Sequence, residues 1–156
     1  MNDQFSQAGQ ILDVLREIEL AVAELYRRFS LFFPHDRVFW QDMSADEGNH
    51  AVMVTELKTT LLKNGAHFEV GNINLLVLTA FRKGIEGNIS RLQRGEIGRR
   101  NALFIARDHE KTLIERSFFS AIRSENKDFQ QIQKRIEIET ENHFQKLENY
   151  IQTLFP

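Results

Sequence analysis

The chain contains no cysteine. That absence removes disulfides, thiolate metal sites and thiol nucleophiles, and with them any rubredoxin-type iron centre within these residues. Pro34 and Pro156 are the only prolines and glycine occurs eight times, so helix breakers are scarce. Regular alternation of apolar and polar residues is missing as well, which argues against sheet and for an all-α fold. The longest apolar runs, such as Leu75 to Leu78, fall far short of the roughly 20 residues that a membrane span requires. Residues 1–10 hold neither lysine nor arginine, and the start lacks the basic and apolar segments of a signal peptide. The expected setting is therefore soluble and cytoplasmic, without a membrane partner. A net charge of −2, with both signs interspersed, also lacks the basic footprint of a nucleic-acid binder.

What is present suits one domain spanning residues 1–156, because 156 residues at 42% hydrophobic content can bury a substantial core. From Ser6 to Phe33, the residues Ile11, Leu12, Leu15, Ile18, Val22, Leu25, Tyr26 and Phe29 recur at helical spacing, and Glu19 falls on their stripe. Glu17 and Glu24 lie further round, as solvated charges. Phe33-Pro34 closes this helix, since the residue before a proline is pushed out of the helical region. A second helix is expected from Asp36, as N-cap, to Asn64, with Gly65 in the left-handed position beyond its end. Its inward residues are Phe39, Trp40, Met43, Glu47, His50, Val54, Leu57 and Leu61. After a turn over 66–71, Asn72 would cap a connecting helix, Ile73 to Arg94, with Leu75, Leu76, Leu78, Phe81, Ile85, Ile89 and Leu92 on its stripe. A helix from Arg99 to Arg123 and another from Asp128 to Leu154, opened by an Asp128/Gln131 capping box, complete the chain.

The chemistry lies where acids and imidazoles interrupt these apolar stripes. Glu47 and His50, three apart, share the inward face of their helix, and an unpaired buried carboxylate costs several kcal/mol, roughly, even after relaxation. Glu110 sits among Leu103, Ala106, Ile114, Phe118 and Ile122, and His143 among Ile136, Leu147 and Ile151. The two halves follow one plan: Glu19 precedes His50 by 31 positions, and Glu110 precedes His143 by 33. Two packed helical hairpins would bring all of these to one point. Helix bundles build dinuclear metal sites in this way, with a Glu from each of two helices and Glu-x-x-His motifs from the other two. Oxygen and imidazole ligands suit iron or manganese, whereas the usual thiolate route to structural zinc is absent. His35 and His109 read as exposed, His67 as a turn residue, and Tyr26 as a core residue whose hydroxyl reaches a carboxylate.

Glu19 with Tyr26, Asp46-Glu47-x-x-His50-Ala51, Gly95-Glu96-Ile97 leading to Ala102-Leu103-x-Ile105-Ala106-x-x-x-Glu110, and Glu139-Thr140-x-x-His143-x-x-x-Leu147 together resemble the rubrerythrin branch of the ferritin-like di-iron carboxylate proteins. The resemblance covers nearly the whole chain. It implies a ferritin-like four-helix bundle of two helical hairpins joined by a shorter crossover helix. It also implies metal ligands at Glu19, Glu47, His50, Glu110 and His143, with iron as the cofactor, as two ions or one, and manganese or zinc as substitutes. The family pattern has a further glutamate where this chain has Thr140. Glu139 is the nearest substitute, although it is turned about 100° around the helix. The implied activity is a non-haem iron oxidoreductase that reduces peroxide, or uses oxygen to oxidise ferrous iron, in a homodimer with an external electron donor. The residues leave two other readings open: a helical scaffold or dimerisation module with a degenerate metal site, and a subunit of an iron-storage cage.

Overall fold

Apolar periodicity becomes helix along most of the chain. The computed structural model describes residues 3–64 and 67–156. Helix α1, Asp3–Phe32, buries Ile11, Leu12, Leu15, Ile18, Val22, Leu25, Tyr26 and Phe29 along one side. Each large apolar side chain removed from water contributes about 1.5–3 kcal/mol. That same stripe carries Glu19 into the interior. The helix stops at Phe32, and Pro34–Asp36 forms one 3-10 turn before α2, Arg37–Asn64. Asp36 does not cap α2 with its side chain. Its carboxylate instead receives a bidentate guanidinium from Arg99, at 2.7 and 2.8 Å, and the hydroxyl of Tyr150 at 2.6 Å. The expected role of Gly65 falls outside the described residues.

Helix α1 packs most extensively on α2, and α3, Leu75–Gln93, lies against α1. Helices α4, Arg99–Glu115, and α5, Lys127–Leu154, form the second pair, and α5 also packs on α2. The buried apolar side chains of all five helices join one core cluster. The all-helical expectation therefore holds for the architecture, with two exceptions in the connections. Strand β1, Phe68–Val70, lies in the stretch read as a turn, and it pairs antiparallel with β2, Ile122–Ser124, in a register that sets Phe68 opposite Ser124 and Val70 opposite Ile122. Three-residue strands are too short to announce themselves by alternation.

The second exception follows from the first, because the helix expected to reach Arg123 ends at Glu115. Ser117 adopts a left-handed backbone (φ 49°), and a 3-10 turn at Phe118–Ser120 then folds Phe118 and Phe119 into the core. Serine is a weak stop signal, so the break is invisible in the apolar pattern. Two caps are also displaced. Asn74, rather than Asn72, accepts from the Leu76 amide at the start of α3, and Asn126, rather than Asp128, accepts from the Phe129 amide at the start of α5. Leu76, placed on the buried stripe by its spacing, is 76% exposed at the first turn of α3. Among the described residues no helix is long and apolar enough to cross a membrane.

Candidate metal centre

Glu19 from α1, Glu47 and His50 from α2, Glu110 from α4 and His143 from α5 are all buried. Helical spacing turns each inward, and the packing of the four helices brings them together. Glu47 stands at the middle. Its Oε2 is 3.2 Å from Nδ1 of His50, and its Oε1 is 2.7 Å from Nδ1 of His143. The two imidazole rings lie 4.8 Å apart, with their planes inclined by 30°. Each Nδ1 also has a second acid near it: Glu19 Oε2 lies 3.5 Å from His50 Nδ1, and Glu110 Oε1 lies 3.9 Å from His143 Nδ1. Two similar half-sites thus share one carboxylate.

Glu47, His50 and His143 each offer a ligand atom within 4.8 Å of the others, and this buried group could hold a metal ion. Both imidazoles turn Nδ1 towards Glu47, and their outer Nε2 atoms face acids. Nε2 of His50 is 2.9 Å from Glu139 Oε2, and Nε2 of His143 is 3.2 Å from Asp46 Oδ2. Hydrogen bonds of this kind fix the orientation of a histidine ligand and raise its basicity. Glu139 thus stands at the outer edge of His50, held also by Arg135 at 3.1 Å, and Glu139, Glu19 and Glu110 all lie outside the group formed by Glu47, His50 and His143. Thr140 is buried beside the site, but its hydroxyl donates to the Ile136 carbonyl one turn back.

The electrostatics follow from burying several acids together. Burial, and then the repulsion of Glu47, push the carboxyl of Glu19 well above its usual range. The same two causes, in the same order, raise Glu110. Glu47 is itself penalised by burial, yet the closeness of Glu19 and the hydrogen bonds to His143 and His50 outweigh that cost and hold it well below the usual range. Burial also disfavours charge on His50, but the nearby carboxyls of Glu19 and Glu47 push its pKa up to about 11. Among the described residues neither oxygen of Glu19 has a hydrogen-bond partner, and the closest imidazole nitrogen, Nδ1 of His50, stands 3.5 Å away. A buried carboxyl left without a donor is the feature that a cation ligand would explain.

The Tyr26 hydroxyl donates to Glu110 Oε1 at 2.9 Å, as expected of a core tyrosine that reaches a carboxylate. On the opposite side, a groove of about 650 Å³ between α2 and α5 opens beside His143, with Asp46, Asn49, Glu139, Arg135 and Lys146 on its walls. Asp46 was legible as part of the acidic pair opening the Glu-x-x-His motif, but its partnership with His143 depends on which side of α2 receives α5. His109 departs from the expected exposure. It is half-buried beneath Phe81, its Nδ1 lacks a partner, and burial pushes its pKa down to about 4. His35 and His67 are exposed, in agreement with the sequence reading, and Glu17 and Glu24 are engaged by Arg82 and by Arg27 and Arg28.

No protein-family model matches this chain, and no curated protein or solved structure matches it significantly.

Proposed function

We propose that the protein is a non-haem iron oxidoreductase of rubrerythrin type, built on a ferritin-like four-helix bundle, which reduces peroxide at a carboxylate and histidine centre. The observation that carries this reading is the pair of half-sites, Glu19 with His50 and Glu110 with His143, on either side of a shared Glu47. An oxygen and nitrogen donor set without thiolate suits iron, with manganese as the nearest competitor. Two ions, or one, would be held by Glu19, Glu47, His50, Glu110 and His143. Bound there, they would supply the electrons that peroxide requires. The chain's own residues do the rest. Glu47 holds the two halves in register, while Glu139 and Asp46 fix the outer nitrogens of the histidines so that Nδ1 points inward. The groove beside His143 admits the oxidant, and the surrounding apolar core excludes bulk water. Peroxide is chosen over ferrous iron as the substrate on the strength of the resemblance, which is an analogy.

A second reading has its own support. Thr140 stands where a further carboxylate would complete the second Glu-x-x-His, and Glu47, His50, His143, Asp46 and Glu139 already pair with one another without metal. On that reading the centre is a polar core retained in a helical scaffold.

Metal content after anaerobic reconstitution with ferrous iron, in the wild type and in His50→Ala, separates the two. Iron bound by the wild type, sharply reduced in the variant, is the expected result, and peroxide consumption then becomes the assay of activity. A wild type that takes up no iron would leave the scaffold.

A further inference from the structure

The chain has one tryptophan and two tyrosines, and they stand in one file. The Tyr26 hydroxyl touches Glu110 at the candidate centre, and its ring lies 5.3 Å from that of Trp40. Trp40 lies 5.1 Å from Phe39, and Phe39 stacks on Tyr150 at 4.1 Å with planes only 9° apart. The Tyr150 hydroxyl donates to Asp36 at 2.6 Å. Tyr26 and Trp40 are fully buried, while Phe39 and Tyr150 are partly exposed in a surface hollow of about 600 Å³. Every tyrosine and tryptophan of the protein therefore lies on one path from the centre to solvent. Packing alone does not demand this, since thirteen phenylalanines are available to fill apolar space without a polar tip.

We propose that this file carries one-electron oxidising equivalents from the centre to the hollow, where an external one-electron donor refills it. The inference rests on the reading of the centre as a peroxide-reducing metal site. Peroxide needs two electrons and two protons to become two waters. Where the centre would be one electron short, holding a single ferrous ion, Tyr26 supplies the missing electron and solvent supplies the two protons that peroxide takes up: the Tyr26 O–H bond breaks, its proton passes to Glu110, and a neutral tyrosyl radical remains. An electron from Trp40 then restores Tyr26, which takes its proton back. Tyr150 restores Trp40 through the ring of Phe39 and releases its own proton along the hydrogen bond to Asp36. A donor such as ascorbate, in the hollow, returns an electron to Tyr150, and solvent returns the proton.

The polar contacts suit this division of labour. Both tyrosines have a carboxylate to receive a proton, so each end of the file can hold a neutral radical. The indole N–H of Trp40 is buried with no acceptor among the described residues. An oxidised Trp40 keeps its proton and is a stronger oxidant than either tyrosyl radical, so it is a brief, higher-lying step between the two tyrosines and not a place where the vacancy rests. Electron tunnelling falls steeply with distance, and rings in van der Waals contact divide the journey into short steps.

The file can be tested in the metal-free protein, independently of the centre. A laser pulse at the red edge of the indole absorption, where tyrosine does not absorb, photoionises Trp40 alone. Transient absorption should show the tryptophan radical giving way to a tyrosyl radical at a rate independent of protein concentration. The tryptophan radical should persist when Tyr26→Phe and Tyr150→Phe are combined, and Phe39→Leu should slow its decay in the presence of Tyr150. Equal lifetimes in the wild type and the double tyrosine variant would overturn the proposal. Unchanged thermal unfolding of these conservative variants verifies that the fold is intact. In the ferrous-loaded protein, peroxide followed by freeze-quench paramagnetic resonance should reveal a radical that Tyr26→Phe abolishes. Iron oxidation with no protein radical in the wild type would overturn the relay and leave the metal centre standing. Failure to bind iron would overturn the metal reading and the use assigned to the file.

Discussion

Glu19 has a cost in the metal-free protein that replacement should reveal. It is completely buried in α1, among side chains that contribute to the core, and neither of its oxygens accepts a hydrogen bond. A buried polar group left unsatisfied costs about 1–3 kcal/mol. Glu19→Leu keeps similar bulk on the same apolar stripe and removes that cost, so the metal-free variant should be more stable than the wild type by about 2 kcal/mol. At roughly 2–4 °C per kcal/mol for a chain of this size, its melting temperature should rise by about 4–8 °C. Metal should act in the opposite sense. A cation at one hundred times its dissociation constant stabilises the wild type by about 2.7 kcal/mol, and the variant, lacking one ligand, should lose most of that increment. Calorimetric scans of both proteins, with chelator and with ferrous iron under anaerobic conditions, measure both halves. A metal-free variant that melts at or below the wild-type temperature would refute the claim that this carboxyl is unsatisfied. An undiminished response to iron would remove Glu19 from the ligand set.

Thr140→Glu should place a second Glu-x-x-His in the chain: the metal-free protein should be destabilised by about 1–3 kcal/mol through one more buried acid, while equilibrium dialysis should show iron held more tightly than in the wild type. Asp36→Asn should cost about 1–3 kcal/mol in denaturant unfolding, because the guanidinium of Arg99 and the hydroxyl of Tyr150 lose a charged acceptor. The hydrogen bonds from Arg99, ahead of the opposing effect of burial, lower the pKa of Asp36, so this contribution is present above its unfolded value of 3.8 and fades as pH falls below it. His109 gives a second acid limb. Its pKa falls from 6.5 to about 4 by burial, so the folded state binds fewer protons than the unfolded state between these values. The stability it contributes is complete above 6.5 and is lost as pH falls towards 4, by about 3 kcal/mol at 1.36 kcal/mol per unit. Unfolding free energies measured across that window should flatten in His109→Leu, and an unchanged slope would refute the assignment.

The positions of Glu19, Glu47, His50, Glu110 and His143 were legible because helical periodicity is a local property: a stripe of leucines and isoleucines declares which way its acids and histidines face. The same logic made the long helices and the proline stop after α1 readable. Spacing along one helix says nothing about what approaches it from another. Only the packing of α5 on α2 set Asp46 against His143 and Glu139 against the outer nitrogen of His50, and only the approach of α4 brought Glu110 to the Tyr26 hydroxyl. The connections were hidden for a related reason. Strands of three residues exist because each supplies the other's hydrogen bonds, and the left-handed Ser117 that ends α4 lets Phe118 and Phe119 enter the core. His109 looked polar and exposed by composition, yet Phe81 from α3 covers it. Local sequence determined which residues face inward; tertiary packing decided their partners, because desolvation and hydrogen bonding act between elements that the chain places far apart.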